Sequence, residues 1–417
     1  MKHIGIVGVG GFAATVLRGI LATEQEGLSH LDAAVIRNPA KYADTLEKLR
    51  QQGRTIYMSV PEMLEKERGR IDIVALPVGI PYHSELAIQA LEAGYDVLLE
   101  KPVAATVQEV DAIIAAEKRS GHFVAIGYQH IQTPAIQALR QAIESGKLGH
   151  IKQAKCYAIW PRPLSYYTRN HWAGQIKVNG RWVLDGPVTN ALAHFLHNMF
   201  YLVDIECGGQ AAIESVQAEL YRGKDIPTYD TVCLRAHMSS GAEVQIALSH
   251  SVGVNENPVI EIEAENATVN WSQDDTKSVT RFRDGTIMTV ESPTWTEFNK
   301  ECVRDAIYVA EGRRARPLST PQNSRNQVLA VDLAFESSEG VWDIPASFRE
   351  TVIVGKNDPL AKVVGMEEVI RRTFTEFKMP SELGAPWAHP AKTVSAEGYR
   401  EFPRSKALGE KLDKLAK

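Results

Sequence analysis

Over its first 127 residues the chain alternates short apolar runs with longer stretches in which apolar residues recur every three or four positions. The runs at 4–7, 33–36, 54–57, 71–75, 95–99 and 123–126 show no polar alternation, which predicts strands buried on both faces of a sheet. Between them, 12–22, 40–51, 61–66, 81–93 and 107–120 carry the helical period, and Gly53, Gly94 and Gly121 stand where helices stop. Strand–helix alternation of this kind predicts an α/β domain with a doubly wound parallel sheet.

The period changes after Gly127. A helix at 134–145 and the turn Gly146-Lys147-Leu148-Gly149 lead into runs at 151–159, 213–221, 231–238, 243–249, 259–263, 267–271, 279–283 and 287–290. Most of these alternate polar with apolar residues, as antiparallel strands with one covered face do. A long open sheet of that kind needs a partner, so a homodimer or homotetramer is expected. The domains expected along the chain are 1–127, 128–345 and an extension at 346–417. In the extension, 360–377 has a helical pattern and Met379-Pro380, Ala385-Pro386-Trp387 and His389-Pro390 interrupt the chain. Residues 405–417 read as a solvated lysine-rich helix or tail.

Composition narrows the partners. The 417 residues are 44% hydrophobic and 23% charged with a net charge of −5, which fits a soluble globular protein and argues against a nucleic-acid or anionic-membrane binder. No apolar run reaches the roughly 20 residues of a membrane helix. Met1-Lys2-His3 runs straight into the first strand, so no signal peptide is expected and the cytosol is the expected compartment. Cys156, Cys207, Cys233 and Cys302 form no CxxC pair, and no metal site is expected, since His194-x-x-His197 lacks the glutamate and third ligand of a catalytic zinc site.

Candidate chemistry begins at the first strand-to-helix turn. Gly8-Val9-Gly10-Gly11-Phe12-Ala13 matches G-x-G-x-x-A and opens a helix, as a dinucleotide pyrophosphate requires. Gly8, Gly10, Gly11 and Phe12 are therefore cofactor-binding candidates. The second strand ends Val35-Ile36-Arg37-Asn38; an acid here would bind the ribose hydroxyls of NAD, whereas Arg37, with Asn38, is available to a 2′-phosphate and favours NADP. Glu100-Lys101-Pro102 follows the fifth strand and delivers an ammonium to the edge where ligands of open α/β sheets bind.

Together Val74-Ala75-Leu76-Pro77, His83, Ala90-Leu91-Glu92-Ala93-Gly94 and Glu100-Lys101-Pro102 resemble the glucose-fructose oxidoreductase/inositol dehydrogenase/MocA family, from residue 3 to about 340. The resemblance implies a Rossmann domain followed by an α/β domain with a large open, mostly antiparallel sheet that packs on another subunit. It also implies that Leu76 and Pro77 line the nicotinamide, that His83 and Glu100 belong to the cofactor site, and that Lys101 reaches the substrate hydroxyl. A lysine beside a positive ring has its ammonium disfavoured, which suits proton transfer to or from an alcohol.

Two further segments bear on substrate. From Ser145 to Leu184 there is no Asp or Glu, while arginines, lysines, tyrosines and tryptophans abound. Trp160, Arg162, Tyr166, Arg169 and Trp172 are read as a sugar or polyol pocket, for a substrate that includes the acidic sugars; Lys147, Lys152 and Lys155 are read as solvated. Gln129 is added as a substrate-side candidate. Gly180 to Asp185 matches the family's second catalytic segment, but Thr189 stands in place of the family histidine and Leu192 in place of the following aspartate. Asp185 and His194 are the catalytic candidates beside Lys101. The spacing of Asn190, His194 and His197 puts them on one helix face.

The expected function is an NAD(P)-dependent oxidoreductase that moves a hydride between nicotinamide and a hydroxyl or carbonyl carbon of a sugar, polyol or sugar acid. A lyase, epimerase or glycosidase that retains and recycles NAD, and a non-catalytic nucleotide sensor, are the alternatives.

Overall fold

The computed structural model describes residues 1–274, 277–291 and 298–416, so the terminal Lys417 of the expected tail lies outside it. The chain divides into two compact units. The first comprises Met1–Ala104, Gln108–Thr133 and the described part of Pro293–Arg325; the second comprises Ala105–Val107, the described part of Pro134–Ser292, and the described part of Asn326–Lys417.

The first unit has a six-stranded parallel sheet made of β1 (Lys2–Val7), β2 (Ser29–Val35), β3 (Thr55–Tyr57), β4 (Ile73–Leu76), β5 (Asp96–Glu100) and β6 (Val124–Gly127). The strands lie in the order β3-β2-β1-β4-β5-β6, so the order reverses between β1 and β4, where open α/β sheets bind ligands. Helices α1 (Ala13–Gln25), α2 (Ala43–Gln51), α3 (Val60–Lys66), α4 (His83–Glu92) and α5 (Val107–Ser120) connect the strands. The apolar runs form strands because burial on both faces removes all of Ile4, Ile6, Val74, Ala75, Val97 and Leu99 from water.

The second unit carries a ten-stranded mixed sheet. After α6 (Pro134–Glu144) come β7 (Ile151–Ile159), α7 (Leu164–Thr168), a ribbon of β8 (Lys177–Val178) and β9 (Arg181–Trp182), and α8 (Ala193–Glu206). Then follow β10 (Ile213–Arg222), β11 (Thr231–Met238), β12 (Glu243–Ser249), β13 (Glu256–Ala264), β14 (Ala267–Ser272), β15 (Lys277–Phe282) and β16 (Ile287–Glu291). Their order is β16-β15-β14-β13-β7-β12-β11-β10, antiparallel except where β7 and β12 run parallel. Helix α8 covers one face, with Phe195 at 5.8 Å from Trp271.

One later helix, α9 (Asn299–Ala310), returns to the first unit, where reading along the chain keeps 128–345 together. Its Cys302, Val303, Ala306 and Ile307 join the core with Leu17 and Ile20 of α1. Gly19 permits this, since a Cβ there would stand 3.3 Å from the Lys300 backbone. Helix α10 (Pro321–Ser337) and β17 (Trp342–Asp343) follow; Ser337 and Ser338 accept the Ala218 and Leu220 N–H groups of β10 at 2.8 and 3.1 Å, which blunts that sheet edge.

The extension departs from expectation. Residues 360–377 are not one helix: β18 (Arg349–Val354) and β19 (Asp358–Val363) form a hairpin, and α11 (Met366–Glu376) starts only after Gly365, whose φ of +77° no β-branched residue would tolerate. Helix α11 crosses β7 and β12 on the sheet face opposite α8. Tyr221, Cys233, Ala247, Val363, Met366, Ile370, Met379 and Trp387 form one core there, with Trp387 edge-on to Tyr221 at 4.9 Å. The open face expected to need a partner is thus covered, over β10, β11, β12 and β7, by the chain's own extension. Lys155, read as solvated, is only 16% exposed, paired with Glu261 at 3.1 Å and 4.5 Å from the Phe374 ring. The pair β20 (Val394–Ser395) with β10 and the helix α12 (Lys406–Leu415), capped by Ser405, complete the unit. Among the described residues no helix is long and apolar enough to cross a membrane.

Candidate active site

In the first unit the candidate residues gather at the carboxyl ends of β1, β2, β4 and β5. Gly8 donates to Val35 O at 2.9 Å with φ +94°, and Gly11 has φ +58°. A Cβ on Gly10 would come within 2.2 Å of the Tyr42 hydroxyl, so a larger residue there would displace the Tyr42 ring. Phe12 is 43% exposed at the cap of α1, whose first N–H groups, on Ala13 and Ala14, donate to the Gly10 and Gly11 carbonyls of the turn at 3.2 Å. Bare backbone and a positive helix end fit a dinucleotide pyrophosphate, with the Tyr42 ring lying against Gly10. Past β2, Arg37 is exposed with its guanidinium 5.8 Å from the Tyr82 ring, while Asn38 accepts Lys41 N–H at 3.2 Å to form the turn.

Leu76 is fully buried at the end of β4, and Pro77 is half-buried behind it. On the neighbouring strand Glu100 accepts the Lys101 N–H at 3.3 Å and lies beside Gly127, its register partner on β6. A Cβ on Gly127 would stand 2.7 Å from Glu100 Oε1. The Lys101–Pro102 peptide is cis. His83, 1% exposed, holds this turn: its Nδ1 donates to Pro102 O at 2.7 Å and its Nε2 lies 3.1 Å from Val78 O. Burial pushes His83 down to about 4 and His130 down to about 3, while burial, opposed by Lys101, pushes Glu100 up to about 7. Lys101 therefore has neutral imidazoles around it at pH 7. Gln129 is buried, and its amide nitrogen donates to Asn299 on α9 at 2.7 Å.

In the second unit the pocket candidates meet where β7 and β12 end. Trp160 donates to Asn257 at 2.9 Å. Arg162 lies 5.0 Å from the Trp160 ring and 4.9 Å from Tyr166, and Arg169 lies 3.6 Å from Tyr166 and 5.6 Å from Trp172. The structure thus brings Trp160, Arg162, Tyr166, Arg169 and Trp172 together as one cluster.

Asp185 is buried in the turn that follows β9, after Leu184 with φ +49°, a costly conformation for a leucine. Its Oδ2 accepts Gly174 N–H at 2.6 Å, and its carbonyl accepts the Thr228 hydroxyl at 2.6 Å. Thr189, where the family histidine would stand, is 3.0 Å from the Tyr229 hydroxyl, and the Tyr229 ring fills the space a Cβ on Gly186 would take. The expected shared helix face is not formed: α8 begins at Ala193, so Asn190 lies in the preceding turn, its N–H on Gly186 O at 3.0 Å. His194 is buried in the first turn of α8; His197 is fully buried, which pushes it down to about 3 and marks it as core.

Sequence reading missed His250 and Tyr229, which carry no motif and are brought in from the segments just after β12 and just before β11. His250 N–H bonds Asp230 O at 2.8 Å, and its carbonyl accepts Arg162 N–H at 3.2 Å. It also missed the hairpin's hold on the loop: Ser165 N–H bonds Asp358 at 3.1 Å, and Val363 N–H bonds Ser251 O at 2.9 Å, next to His250. Elsewhere in the first unit, Asp32 lies 2.8 Å from His3 and 3.3 Å from His30, and the Arg54 guanidinium donates to His30 at 2.6 Å, a polar cluster apart from these groups.

Residues 2–128 match the oxidoreductase family with NAD-binding Rossmann fold, and residues 136–270 match the GFO/IDH/MocA C-terminal domain. The chain belongs to the GFO/IDH/MocA oxidoreductase family. Among its relatives, inositol 2-dehydrogenase of Acidothermus cellulolyticus is 25% identical over 297 residues, 67% of this chain and 80% of that one. Levoglucosan dehydrogenase of Pseudarthrobacter phenanthrenivorans is 26% identical over 306 residues, 69% and 70% of the two chains. The fold also matches the WlbA dehydrogenase of Bordetella pertussis, solved with NADH and UDP-GlcNAcA, with a TM-score of 0.65 at 21% identity over 81% of this chain and 97% of that one. The first unit is therefore an NAD-binding Rossmann domain of this family.

Proposed function

We propose that the protein is an NAD(P)-dependent dehydrogenase or reductase acting on a CH–OH group of a sugar, polyol or sugar acid. The observation that carries this reading is the Glu100-Lys101-Pro102 turn, held by His83 at the same sheet edge as the glycine cradle. Relatives named inositol 2-dehydrogenase and levoglucosan dehydrogenase support a substrate of sugar or polyol size. When bound, nicotinamide supplies the hydride acceptor or donor. Lys101 is the group assigned to the substrate proton, because His83 and His130 are held neutral and Glu100 orients the Lys101 backbone. In the second unit Asp185 and His194 remain the candidates for orienting and accepting, Thr189 being engaged with Tyr229. Arg37 favours NADP over NAD. The expected homo-oligomer would use the β13–β16 part of the sheet, since the extension occupies the rest.

The first test is to denature the purified protein, identify any released nucleotide, and measure NADPH and NADH binding. Lys101→Met is expected to lose at least about 100-fold in turnover while nucleotide affinity stays within about twofold. Full turnover in that variant would overturn the assignment. A tightly retained NAD with no net change in nicotinamide absorbance would instead support the recycling chemistry.

A further inference from the structure

The ends of β7 and β12 hold polar atoms that the fold itself leaves unused. His250, directly after β12, is 2% exposed. Its Nδ1 donates to Trp160 O at 2.9 Å, which fixes the tautomer and leaves Nε2 as a lone-pair acceptor. That Nε2 is buried with no hydrogen-bond partner, and so are Arg162 Nε and the Tyr167 hydroxyl. The three residues are neighbours: the Arg162 backbone N–H bonds His250 O, and the Tyr166 ring lies 5.9 Å from His250 and 5.1 Å from Tyr167. A buried polar atom without a partner is costly, and three in one place call for a ligand that satisfies them.

Charge says what kind. Arg162, Arg169 and Lys224 all bear on His250. Burial, then Arg162, holds the imidazole well below the ordinary histidine range, so it stays neutral and keeps its acceptor. The nearby carboxylates are already engaged: Asp230 accepts Gly223 N–H, Lys224 N–H and the Thr231 hydroxyl, and Asp185 accepts Gly174 N–H. The two guanidiniums rest on aromatic rings, and among the described residues no carboxylate lies within ion-pair distance of either. A neutral polyol would leave them without a counter-charge.

Resting on the dehydrogenase reading above, we propose that this cluster recognises a polyhydroxy acid of the aldonate or uronate class, with Arg162 and Arg169 holding its carboxylate and His250 Nε2 accepting a hydrogen bond from a substrate hydroxyl. Arginine forks fit a carboxylate two bonds at a time, and a neutral imidazole nitrogen selects a hydroxyl over a second anionic oxygen. Carboxylate and hydroxyl together are the signature of a sugar acid.

Calorimetric titration of the full chain, saturated with NADPH or NADH, tests this with D-gluconate, D-glucuronate, D-glucitol, D-glucose and D-glucose 6-phosphate as probes. At least one of the two acids is expected to bind about tenfold or more tighter than its neutral counterpart. Arg169→Gln, on an exposed side chain that also donates to the Tyr166 carbonyl, is expected to abolish that preference with unchanged circular dichroism. His250→Asn and Arg162→Gln are expected to weaken the acid by about tenfold or more with unchanged circular dichroism. Equal binding of acids and neutral sugars, tighter binding of the phosphate, preference surviving both arginine substitutions, or no binding of either acid would overturn the proposal. NADH fluorescence in the same samples separates the two readings: a protein that binds nicotinamide without preferring acids loses only this inference, whereas one that binds no nicotinamide loses the dehydrogenase reading.

Discussion

At Gly127 a single residue bears directly on the candidate catalytic turn. Its missing side chain leaves room for the Glu100 carboxylate, which in turn accepts the Lys101 N–H. Gly127→Ala puts a methyl 2.7 Å from Oε1, below any real contact, so the carboxylate must swing away and release the Lys101 backbone. The expected result is a fall in kcat of about tenfold with nicotinamide affinity little changed, checked by steady-state kinetics beside a nucleotide titration. A variant with wild-type kcat would show that Glu100 does not orient Lys101. Glu100, Lys101 and Pro102 were legible in the sequence because they are adjacent. The brace from His83 to Pro102 and the Thr189–Tyr229 pair were not, because nothing local marks partners 19 and 40 residues apart.

Among the elements, the hairpin β18–β19 defeats a periodicity reading. Its buried Leu360 and Val363 fall in step with Met366, Ile370 and Phe374 of α11, at spacings of three and four that imitate one long helix. Only Gly365 marks the break. The hairpin also braces the loop that carries Arg162 to Arg169, through Ser165 and Asp358. Asp358→Ala removes that tie without touching the cluster. KM for the substrate is expected to rise by about three- to tenfold with kcat nearly unchanged, since a mobile loop must be ordered on binding. An unchanged KM would mean that the loop holds its shape unaided. The rest of the second sheet followed its alternating pattern closely, with 151–159, 231–238 and 243–249 observed as strands of those bounds.

For the whole molecule, four buried histidines set the response to acid: His250, held well below the ordinary range, and three more. His83, His130 and His197 are held by burial at about 4, 3 and 3, below the 6.5 of an exposed histidine, so the unfolded chain binds protons that the folded one refuses. Their stabilising share is complete above pH 6.5 and is lost as pH falls toward the folded values. Glu100, raised from 4.5 to about 7, works the other way and favours the fold as pH falls through that interval. Stability is therefore expected to decline below pH 6.5 by at most about 4 kcal/mol per pH unit, the slope of four histidines less that of Glu100, measured as urea midpoints between pH 8 and 5. Midpoints flat across that range would show that these imidazoles protonate without unfolding.

What the sequence determined by itself was everything written in contiguous residues: the strand–helix alternation, the glycine cradle, the Glu100-Lys101-Pro102 turn and the aromatic and arginine-rich loop. Hydrophobic period and adjacent motifs act over a few residues, so local chemistry suffices to specify them. Only the tertiary structure decided that α9 belongs to the first unit, that the extension covers much of the open sheet face, and that His250 joins the arginine cluster. Those depend on which distant segments bury each other's apolar surface and complete each other's hydrogen bonds, and that choice is settled only when the whole chain packs.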